Sequence, residues 1–475
     1  MVHLELGERR KGVTRGHTIE RADHRVEWIL ALVITLSIGL DPSITLWRAA
    51  ANNVPAEFRT VSISASDAAL LILALYGWWP DHHESTETRH DAARAIGWAG
   101  ALLIGCLGLS AAVAGLPWLS LMRFGQVVLG LLACLTLTRR QSLAVRVLVC
   151  GAGLILLQLP QVIVQELTQS SRSLGSLFPG ASPVTQAHVS GALVVFGPGN
   201  QRWQRGMGSF LHPNLLGGFL ALALVFSLPW LADGGRRGAL LWPVWMIAWV
   251  ELFLTFSRAA LIASVAGCLL WGLARYRHAV SSRQMAAFAG LPVVAVVGLA
   301  TVIGNVLIPR LDPSSILHSV SLTDRWYLVQ IGARIVAAHP LLGVGPGTYS
   351  LVEAHSALGP VNAQPVHVVP LLVGAEAGIV AGLAWLALVL GGPLVELIGE
   401  RFDGRAWCER LAVPLVIVIL ASLDHYFWTF ASGQALFWVA LGVWASWSEP
   451  SPHLDGVGIR NPGAAFDVER ERIAA

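Results

Sequence analysis

The sequence predicts an all-α integral membrane protein with about 12 transmembrane helices. Of its 475 residues, 55% are hydrophobic and only 13% are charged, whereas about 25% of the residues of a soluble domain are charged. Apolar runs close to the roughly 20 residues that a helix needs to cross a bilayer recur from Trp28 to Trp447. The composition therefore excludes a soluble enzyme and favours one polytopic membrane domain.

Apolar runs between charged or turn-forming residues predict the individual helices. In chain order, the predicted spans are 28–40, 61–79, 95–116, 119–138, 143–164, 215–232, 239–256, 259–274, 285–308, 370–398, 411–427 and 432–447. The first run is short and meets Asp41 and Pro42, which predicts a tilted or interrupted helix.

The distribution of arginine and lysine predicts which loops are cytoplasmic, because cytoplasmic loops carry the excess of both. With the N-terminus inside, the predicted inside segments hold 22 of the 32 basic residues. These segments are 1–27, 81–94, 139–146, 233–237, 275–283, 400–410 and 449–475. We therefore expect a cytoplasmic head (1–27), one membrane domain (28–448) and a disordered cytoplasmic tail (449–475).

Two predicted outer segments, 165–209 and 309–369, are longer than ordinary connectors, which suggests a function on the outer face. The second is the large extracytoplasmic loop between predicted helices 9 and 10. Within it, Thr323 and Asp324 are expected to cap a helix that runs through Ala338 and lies along the membrane surface.

Arg258 lies between two apolar runs that almost no loop separates. A guanidinium at this depth is costly unless an anion or carbonyl groups satisfy it, so Arg258 is a candidate for binding a charged substrate. The alternatives are that its side chain extends to the outer interface or pairs with Glu251.

Arg205 precedes a glycine-rich segment that leads into the predicted span at 215–232. Glycines allow a backbone to approach a ligand, and the start of a helix presents N–H groups and a positive dipole end. Arg205 beside this helix start, with His212 and Asn214, predicts a site for a phosphate group. The alternative is an ordinary helix entry that Asn214 caps.

His367 lies where the large outer loop returns to the membrane. A neutral imidazole there suits a base, or a hydrogen-bond acceptor, for a sugar hydroxyl, although a lone histidine is usually structural. Further candidates for substrate contacts are Arg325, His339, Asp424 and His425. The simpler interpretations are a solvent-facing arginine, a glycine-rich turn after His339 and a helix cap at Asp424.

The sequence shows no spacing typical of a metal site, of a nucleotide-binding glycine loop or of a nucleophilic serine. The outer carboxylates are scattered as well, which disfavours a metal-dependent reaction. The net charge of +3, with a single lysine, does not indicate binding of nucleic acid. We therefore expect no cofactor, no metal and no nucleic-acid partner.

Five segments, in this order, resemble motifs of the O-antigen ligase and O-antigen polymerase superfamily of membrane glycosyltransferases. They lie within 202–444 and are 205–214, 255–261, 324–347, His367 with a following glycine, and 424–428. In the ligases the histidine is typically followed by Asn, Ser or Gln, then by a glycine eleven positions after the histidine and a small or tyrosine residue three further on. His367 and Gly378 fit this pattern, Val368 departs from it, and at the last position Ala381 stands next to Gly382.

This resemblance implies a polyprenyl-diphosphate-linked glycan as donor and a hydroxyl of a lipid or glycan as acceptor, without nucleotide sugar or metal. It implies that Arg258 and Arg205 stabilise the leaving diphosphate, and that His367 orients or deprotonates the acceptor hydroxyl. Attack opposite to the diphosphate would invert the anomeric carbon. The reaction would take place on the extracytoplasmic face of the cytoplasmic membrane, with both termini in the cytoplasm.

Two alternatives remain open. A polymerase of the same superfamily would transfer the glycan to another lipid-linked repeat unit. A transporter of an anionic solute is the alternative from another class, but transporters usually place ionisable groups near the bilayer centre and often contain inverted repeats. Here the candidate residues lie at one predicted interface, and no repeat is evident in the sequence.

Overall fold

The computed structural model describes residues 24–50, 54–78, 90–170, 194–196, 202–232, 236–276, 316–354, 363–399 and 403–447. Within these residues the chain is almost entirely helical, as predicted for an all-α membrane protein. Two short antiparallel hairpins are the only sheets in the described part of the chain.

The helices largely follow the apolar runs of the sequence. In chain order they are α1 (24–40), α2 (Ala65–Tyr76), α3 (His90–Val113), α4 (Pro117–Arg139), α5 (Gln141–Thr168), α6 (Pro213–Phe226), α7 (Leu228–Ala232), α8 (Arg236–Leu254), α9 (Arg258–Tyr276), α10 (Ile316–Ala338), α11 (Tyr349–Glu353), α12 (Val369–Ala377), α13 (Ile379–Leu397), α14 (Gly404–Leu423), α15 (Tyr426–Thr429) and α16 (Ala431–Ser446). The strands are β1 (Ser43–Arg48), β2 (Thr60–Ser64), β3 (Val194–Phe196) and β4 (Arg202–Gln204).

Seven helical segments in the described part are long and apolar enough to cross a membrane. They are α3, α4, α5, the α6–α7 pair, α9, α13 and α14. The chain is therefore a membrane protein, as its composition predicted. The expected total of twelve spans stays a prediction, because the span at 285–308 lies outside the described residues.

The predicted span at 370–398 is wrong as a single helix. The chain forms α12 and α13 instead, with a break at Gly378. This glycine has a φ of +93°, and a Cβ atom there would lie only 2.0 Å from the carbonyl oxygen of Leu341. The helix breaks where the backbone of another loop approaches too closely for any side chain.

The predicted span at 61–79 starts too early, because β2 occupies its first residues and pairs with β1. Asp41, directly after α1, fixes this region. Its two carboxylate oxygens accept hydrogen bonds from the backbone N–H groups of Ser66 and Ser432, each at 3.1 Å. One carboxylate therefore serves the N-terminal ends of both α2 and α16.

The helix expected to start with a cap at Thr323 or Asp324 starts earlier. Both residues lie inside α10, which begins at Ile316. No glycine or proline interrupts residues 316–323, and extending a helix backwards costs less than starting a new one. Its end at Ala338 agrees with the prediction, and its position along the membrane surface stays a prediction.

The long helices pack in pairs around a core of aliphatic and aromatic side chains. α3 packs along α13, α9 along α14, and α4 along α16. The largest fully buried side chains in the described part include Trp385, Trp428 and Trp438. These contacts fix the relative positions of the helix ends, and the candidate residues are found at one set of those ends.

Ion pairs between helices gather at the other set of ends. The pairs are Arg146 with Glu27 at 2.5 Å, Arg275 with Glu409 at 3.5 Å, and Arg410 with Glu396. They join the starts of α1, α5 and α14 and the last turns of α9 and α13. The pattern of basic loops predicts that this end faces the cytoplasm.

Candidate functional site

Three ionisable side chains meet near the start of α12 and the end of α14. His367 lies just before α12, whereas Asp424 and His425 lie between α14 and α15. The imidazole rings of His367 and His425 are 4.9 Å apart in an edge-to-face arrangement. The ligand atoms of all three side chains lie within 4.8 Å of one another. The sequence predicted these residues separately, and the fold brings them into one cluster.

Hydrogen bonds hold Asp424 in a fixed position. Asn214 donates from Nδ2 to one carboxylate oxygen at 2.5 Å, and the backbone N–H of His425 donates to the other at 2.7 Å. Arg205 in turn donates to Oδ1 of Asn214 and to the carbonyl oxygen of Thr255. Arg205 is therefore linked to the histidine cluster through Asn214.

His212 joins the cluster from the start of α6. It is the N-cap of this helix, and its Nδ1 atom accepts a hydrogen bond from the backbone N–H of Asn214 at 3.1 Å. The alternative that Asn214 caps the helix is therefore wrong. Its side chain instead connects Arg205 with Asp424.

Burial and neighbouring charges set the protonation states of the cluster. Burial lowers the pKa of His367 to about 3, with a further contribution from His425. Burial, together with the charge of Arg205, lowers the pKa of His212 to about 3, and burial also lowers the pKa of His425. Burial alone would raise the pKa of Asp424, but the neighbouring histidines and Arg325 bring it down to about 2. At neutral pH, neutral imidazoles therefore surround one carboxylate.

The His367, Asp424 and His425 side chains could in principle hold a metal ion, a grouping that the sequence spacing did not indicate. Two of the three already have hydrogen-bond partners, however. Both oxygens of Asp424 accept hydrogen bonds, and Nδ1 of His425 lies 2.8 Å from Oγ1 of Thr429. The buried Nδ1 atom of His367 has no partner among the described residues. Within the described residues, the Nδ1 atom of His367 is therefore the acceptor of this cluster that a bound ligand could satisfy.

The glycine-rich segment after Arg205 does not present its backbone N–H groups to a ligand. The N–H of Gly206 donates to Leu254, those of Met207 and Gly208 to the Gln165 side chain, and that of Ser209 to Gln158. These N–H groups instead fasten the segment to α5 and α8 and are not available to a phosphate group. A role for the Arg205 guanidinium itself stays a prediction.

Arg258 is the first residue of α9 and is half-buried. It follows a tight turn in which buried Phe256 has a φ of +50°, a value rare for a bulky residue and held here by tertiary contacts. The alternative of pairing with Glu251 is wrong, because both carboxylate oxygens of Glu251 are buried without a hydrogen-bond partner in the described structure. The charges of Arg258 and Arg325 repel each other, and Arg325 also acts on His367 and Asp424. A positive region therefore lies beside the cluster.

His339 does not join the cluster. It is exposed at the end of α10, and the segment after it folds as the turn that its glycines suggested. Gly343, Gly345 and Gly347 have φ values of +63°, +111° and +75°. The N–H groups of Val344 and Gly345 donate to the end of α12. The turn therefore supports the helix that begins two residues after His367.

Three neighbours of His425 were not identified from the sequence. Thr429 contacts its imidazole, and the rings of Phe58 and Phe430 lie 5.6 and 6.0 Å from it. Thr429 and Phe430 directly follow the 424–428 segment, so their position in the sequence could have identified them as neighbours of the site. Phe58 comes from the hairpin between α1 and α2, and nothing in the sequence connects it with a residue so far along the chain.

Residues 243–386 match the Wzy_C family model, which is described as O-Antigen ligase. The match confirms the resemblance seen in the sequence, and it includes Arg258, Arg325 and His367. Arg205 and Asp424 lie outside the matched residues. A comparison with curated proteins gave no match.

Proposed function

We propose, from the O-antigen ligase domain at residues 243–386, that the protein transfers a polyprenyl-diphosphate-linked glycan to a hydroxyl acceptor on the outer face of the cytoplasmic membrane. The observation that carries this proposal is the buried cluster of His367, Asp424 and His425 beside two arginines. Such a site combines a proton acceptor with positive charge, and transfer from a diphosphate needs both.

The acceptor hydroxyl would bind at the Nδ1 atom of His367. This atom is buried and lacks a partner in the described structure, and an imidazole nitrogen can accept a hydrogen bond or a proton. Asp424 lies close enough to raise the pKa of His367. It would therefore stabilise an imidazolium that forms during the reaction.

Arg258 and Arg325 are the proposed partners of the donor diphosphate. Negative charge develops on the leaving diphosphate as the glycosidic bond breaks, and guanidinium groups stabilise it through charge-assisted hydrogen bonds. An anion placed between the two arginines would also relieve their mutual repulsion. Neither arginine needs a metal ion to do this.

The chemical step follows from these roles. The acceptor oxygen bonds to the anomeric carbon as the bond from that carbon to the diphosphate oxygen breaks, which inverts the anomeric centre. The hydroxyl proton passes to His367 and then to solvent. Burial keeps the pKa of His367 at about 3 without substrate, so we infer that the negative donor raises it and makes His367 a competent base only when the donor is bound.

The isoprenoid chain of the donor would lie in an apolar groove beside α6. Residues of α1, α5, α6, α7, α8 and α16 line this groove, among them Gly151, Phe219 and Ala223. Phe219 lies about two turns along α6 from Pro213. Because α6 carries His212 and Asn214 at its start, a chain in the groove would leave its diphosphate near the histidine cluster.

The glycan profile of a strain that lacks the gene tests this function. Lipid-linked polymer of normal length that no longer reaches its acceptor is the expected result. Single repeat units without polymer would instead support the polymerase alternative. An unchanged glycan profile would contradict both, and loss of uptake or export of an anionic solute would then favour transport.

A further inference from the structure

We propose that Phe58 and Phe430 form a surface on which a pyranose ring of the acceptor stacks, an inference that rests on the function proposed above. Phe58 ends a short 3₁₀ helix between β1 and β2, and Phe430 lies between α15 and α16. The two rings are nearly parallel, with an interplanar angle of 19° and centroids 6.3 Å apart. Both side chains are only partly buried, so each leaves aromatic surface accessible.

This aromatic pair continues directly into the histidine cluster. The ring of Phe58 meets His425 edge-on at 5.6 Å, and Phe430 lies 6.0 Å from His425 and 6.4 Å from His212. His425 is in turn 4.9 Å from His367. A sugar lying against the phenylalanines would therefore be within reach of the group that we propose receives its hydroxyl.

The chemistry of the surface fits a sugar ring better than a lipid chain. A pyranose presents C–H groups on its faces, which pack on aromatic rings, and hydroxyls around its rim, which need hydrogen-bond partners. Here the aromatic surface lies beside the Nδ1 atom of His367, an imidazole nitrogen that can accept a hydrogen bond from a hydroxyl. An isoprenoid chain in this place would cover the Nδ1 atom of His367 with apolar groups and leave it without a hydrogen-bond partner.

The competing explanation is that Phe58 only packs the hairpin onto the helices. It does contact a small apolar cluster that includes Val54, Leu119 and Leu351. Packing alone would be served as well by leucine as by phenylalanine, apart from a change in stability. Stacking on a sugar requires an aromatic ring, so an aliphatic and an aromatic replacement separate the two explanations.

The test measures transfer by the purified full chain in lipid nanodiscs. Lipid-linked donor and unmodified acceptor glycan are extracted from a strain that lacks the gene, and acceptor concentration is varied at saturating donor. We expect Phe58→Leu and Phe430→Leu to raise the acceptor KM by roughly two- to tenfold. Phe58→Trp should keep it near that of the unchanged protein. Donor KM should not change in any of these variants.

Ile63→Ala is the matched control, because Ile63 lies on the same hairpin and its side chain is exposed. Its acceptor KM should equal that of the unchanged protein. An unchanged acceptor KM in Phe58→Leu would overturn the stacking surface. So would a lower melting temperature and a lower kcat in both Phe58→Leu and Phe58→Trp. Neither result would contradict the proposed transfer. If the unchanged protein transfers no glycan from the extracted donor to the extracted acceptor, the proposed function itself is contradicted.

Discussion

The unpartnered Nδ1 atom of His367 is the residue-scale feature that most directly suggests chemistry. Leaving a buried polar atom without a hydrogen bond costs about 1–3 kcal/mol of folding free energy. In the described structure the Nδ1 atom of His367 has no hydrogen-bond partner. A substrate hydroxyl that binds there would recover part of that cost. The same atom is the one that a general base would use.

Replacing His367 separates its two possible roles. His367→Ala should lower the transfer rate by roughly 10²- to 10⁴-fold, the usual contribution of a positioned base. The glutamine of His367→Gln can form hydrogen bonds but cannot take a proton at neutral pH. An inactive His367→Gln variant therefore indicates that His367 acts as a base, and a partly active variant indicates that it positions the acceptor. Exposed His339→Ala is the control and should retain full activity. Normal transfer by His367→Ala would remove this residue from the mechanism.

The pH dependence of kcat/KM reports the protonation of the unliganded site. Because burial lowers the pKa of His367 to about 3 from its ordinary 6.5, its neutral form persists as the pH falls. We expect kcat/KM to stay constant from pH 8 down to about pH 5. The acid limb of kcat should lie at higher pH, because bound donor raises the same pKa. An acid limb of kcat/KM centred near pH 6.5 would contradict a buried, neutral His367.

Arg258→Lys keeps the positive charge but removes the planar fork of hydrogen-bond donors. Loss of one charge-assisted hydrogen bond should lower kcat/KM roughly ten- to a hundredfold. Arg334→Lys, at an exposed position on α10, should leave transfer unchanged. Equal rates for Arg258→Lys and the unchanged protein would show that only the charge matters.

At the scale of the helices, α6 connects the polar site with the membrane interior. Its first residues hold the hydrogen-bond chain from Arg205 to Asp424, and its later turns line the apolar groove. α12 is positioned from the opposite side, by the turn after His339 and by the close approach at Gly378. Both helices must keep these positions for the cluster to form.

Filling the groove should change how the proposed transfer responds to the length of the donor chain. Gly151 lines the groove, and its nearest neighbour, Phe219, would be 3.9 Å from an added Cβ atom, so a leucine would project into the groove. We expect the unchanged protein to transfer faster from a donor with a long isoprenoid chain than from one with a short chain, and Gly151→Leu to lose this preference.

The control for this experiment is Gly105→Leu, at an exposed glycine of α3 with nothing near its Cβ position. It should keep the chain-length preference. The groove would not be the binding place of the donor chain if Gly151→Leu kept the preference too, or if it slowed transfer from both donors equally.

At the scale of the whole molecule, the interhelical ion pairs and the histidine cluster occupy opposite helix ends. Burying either kind of group in the hydrocarbon would be costly, so we expect both to lie near the membrane boundaries. The rule for basic loops assigns the ion-paired end to the cytoplasm. The cluster would then face the outside.

Cysteine labelling in intact cells tests this orientation. In a Cys408→Ser background, Glu57→Cys should react with a membrane-impermeant thiol reagent, whereas Asp403→Cys should react only after lysis. Both positions are exposed, so accessibility within the protein does not separate them. The reverse pattern would place the histidine cluster in the cytoplasm and contradict transfer on the outer face.

Composition and apolar periodicity were sufficient to predict a membrane protein built of helices, because crossing a bilayer imposes length and apolarity on each segment separately. The sequence also indicated His367, Asp424 and His425 as candidates, since their neighbours resemble those of the O-antigen ligases, and their role in transfer stays a prediction. Each of these conclusions depends on residues close together in the chain.

Only the tertiary structure decided what depends on distant residues. The break at Gly378 is imposed by the backbone at Leu341, and the shared cap at Asp41 joins helices from opposite ends of the chain. The N–H groups of 206–209 bond to glutamines of α5 and to α8, and Phe58 reaches His425 from the first hairpin. The free-energy cost of placing a residue in lipid depends on that residue itself and can be read from the local sequence. The partner that satisfies a buried polar group is determined only when the helices pack.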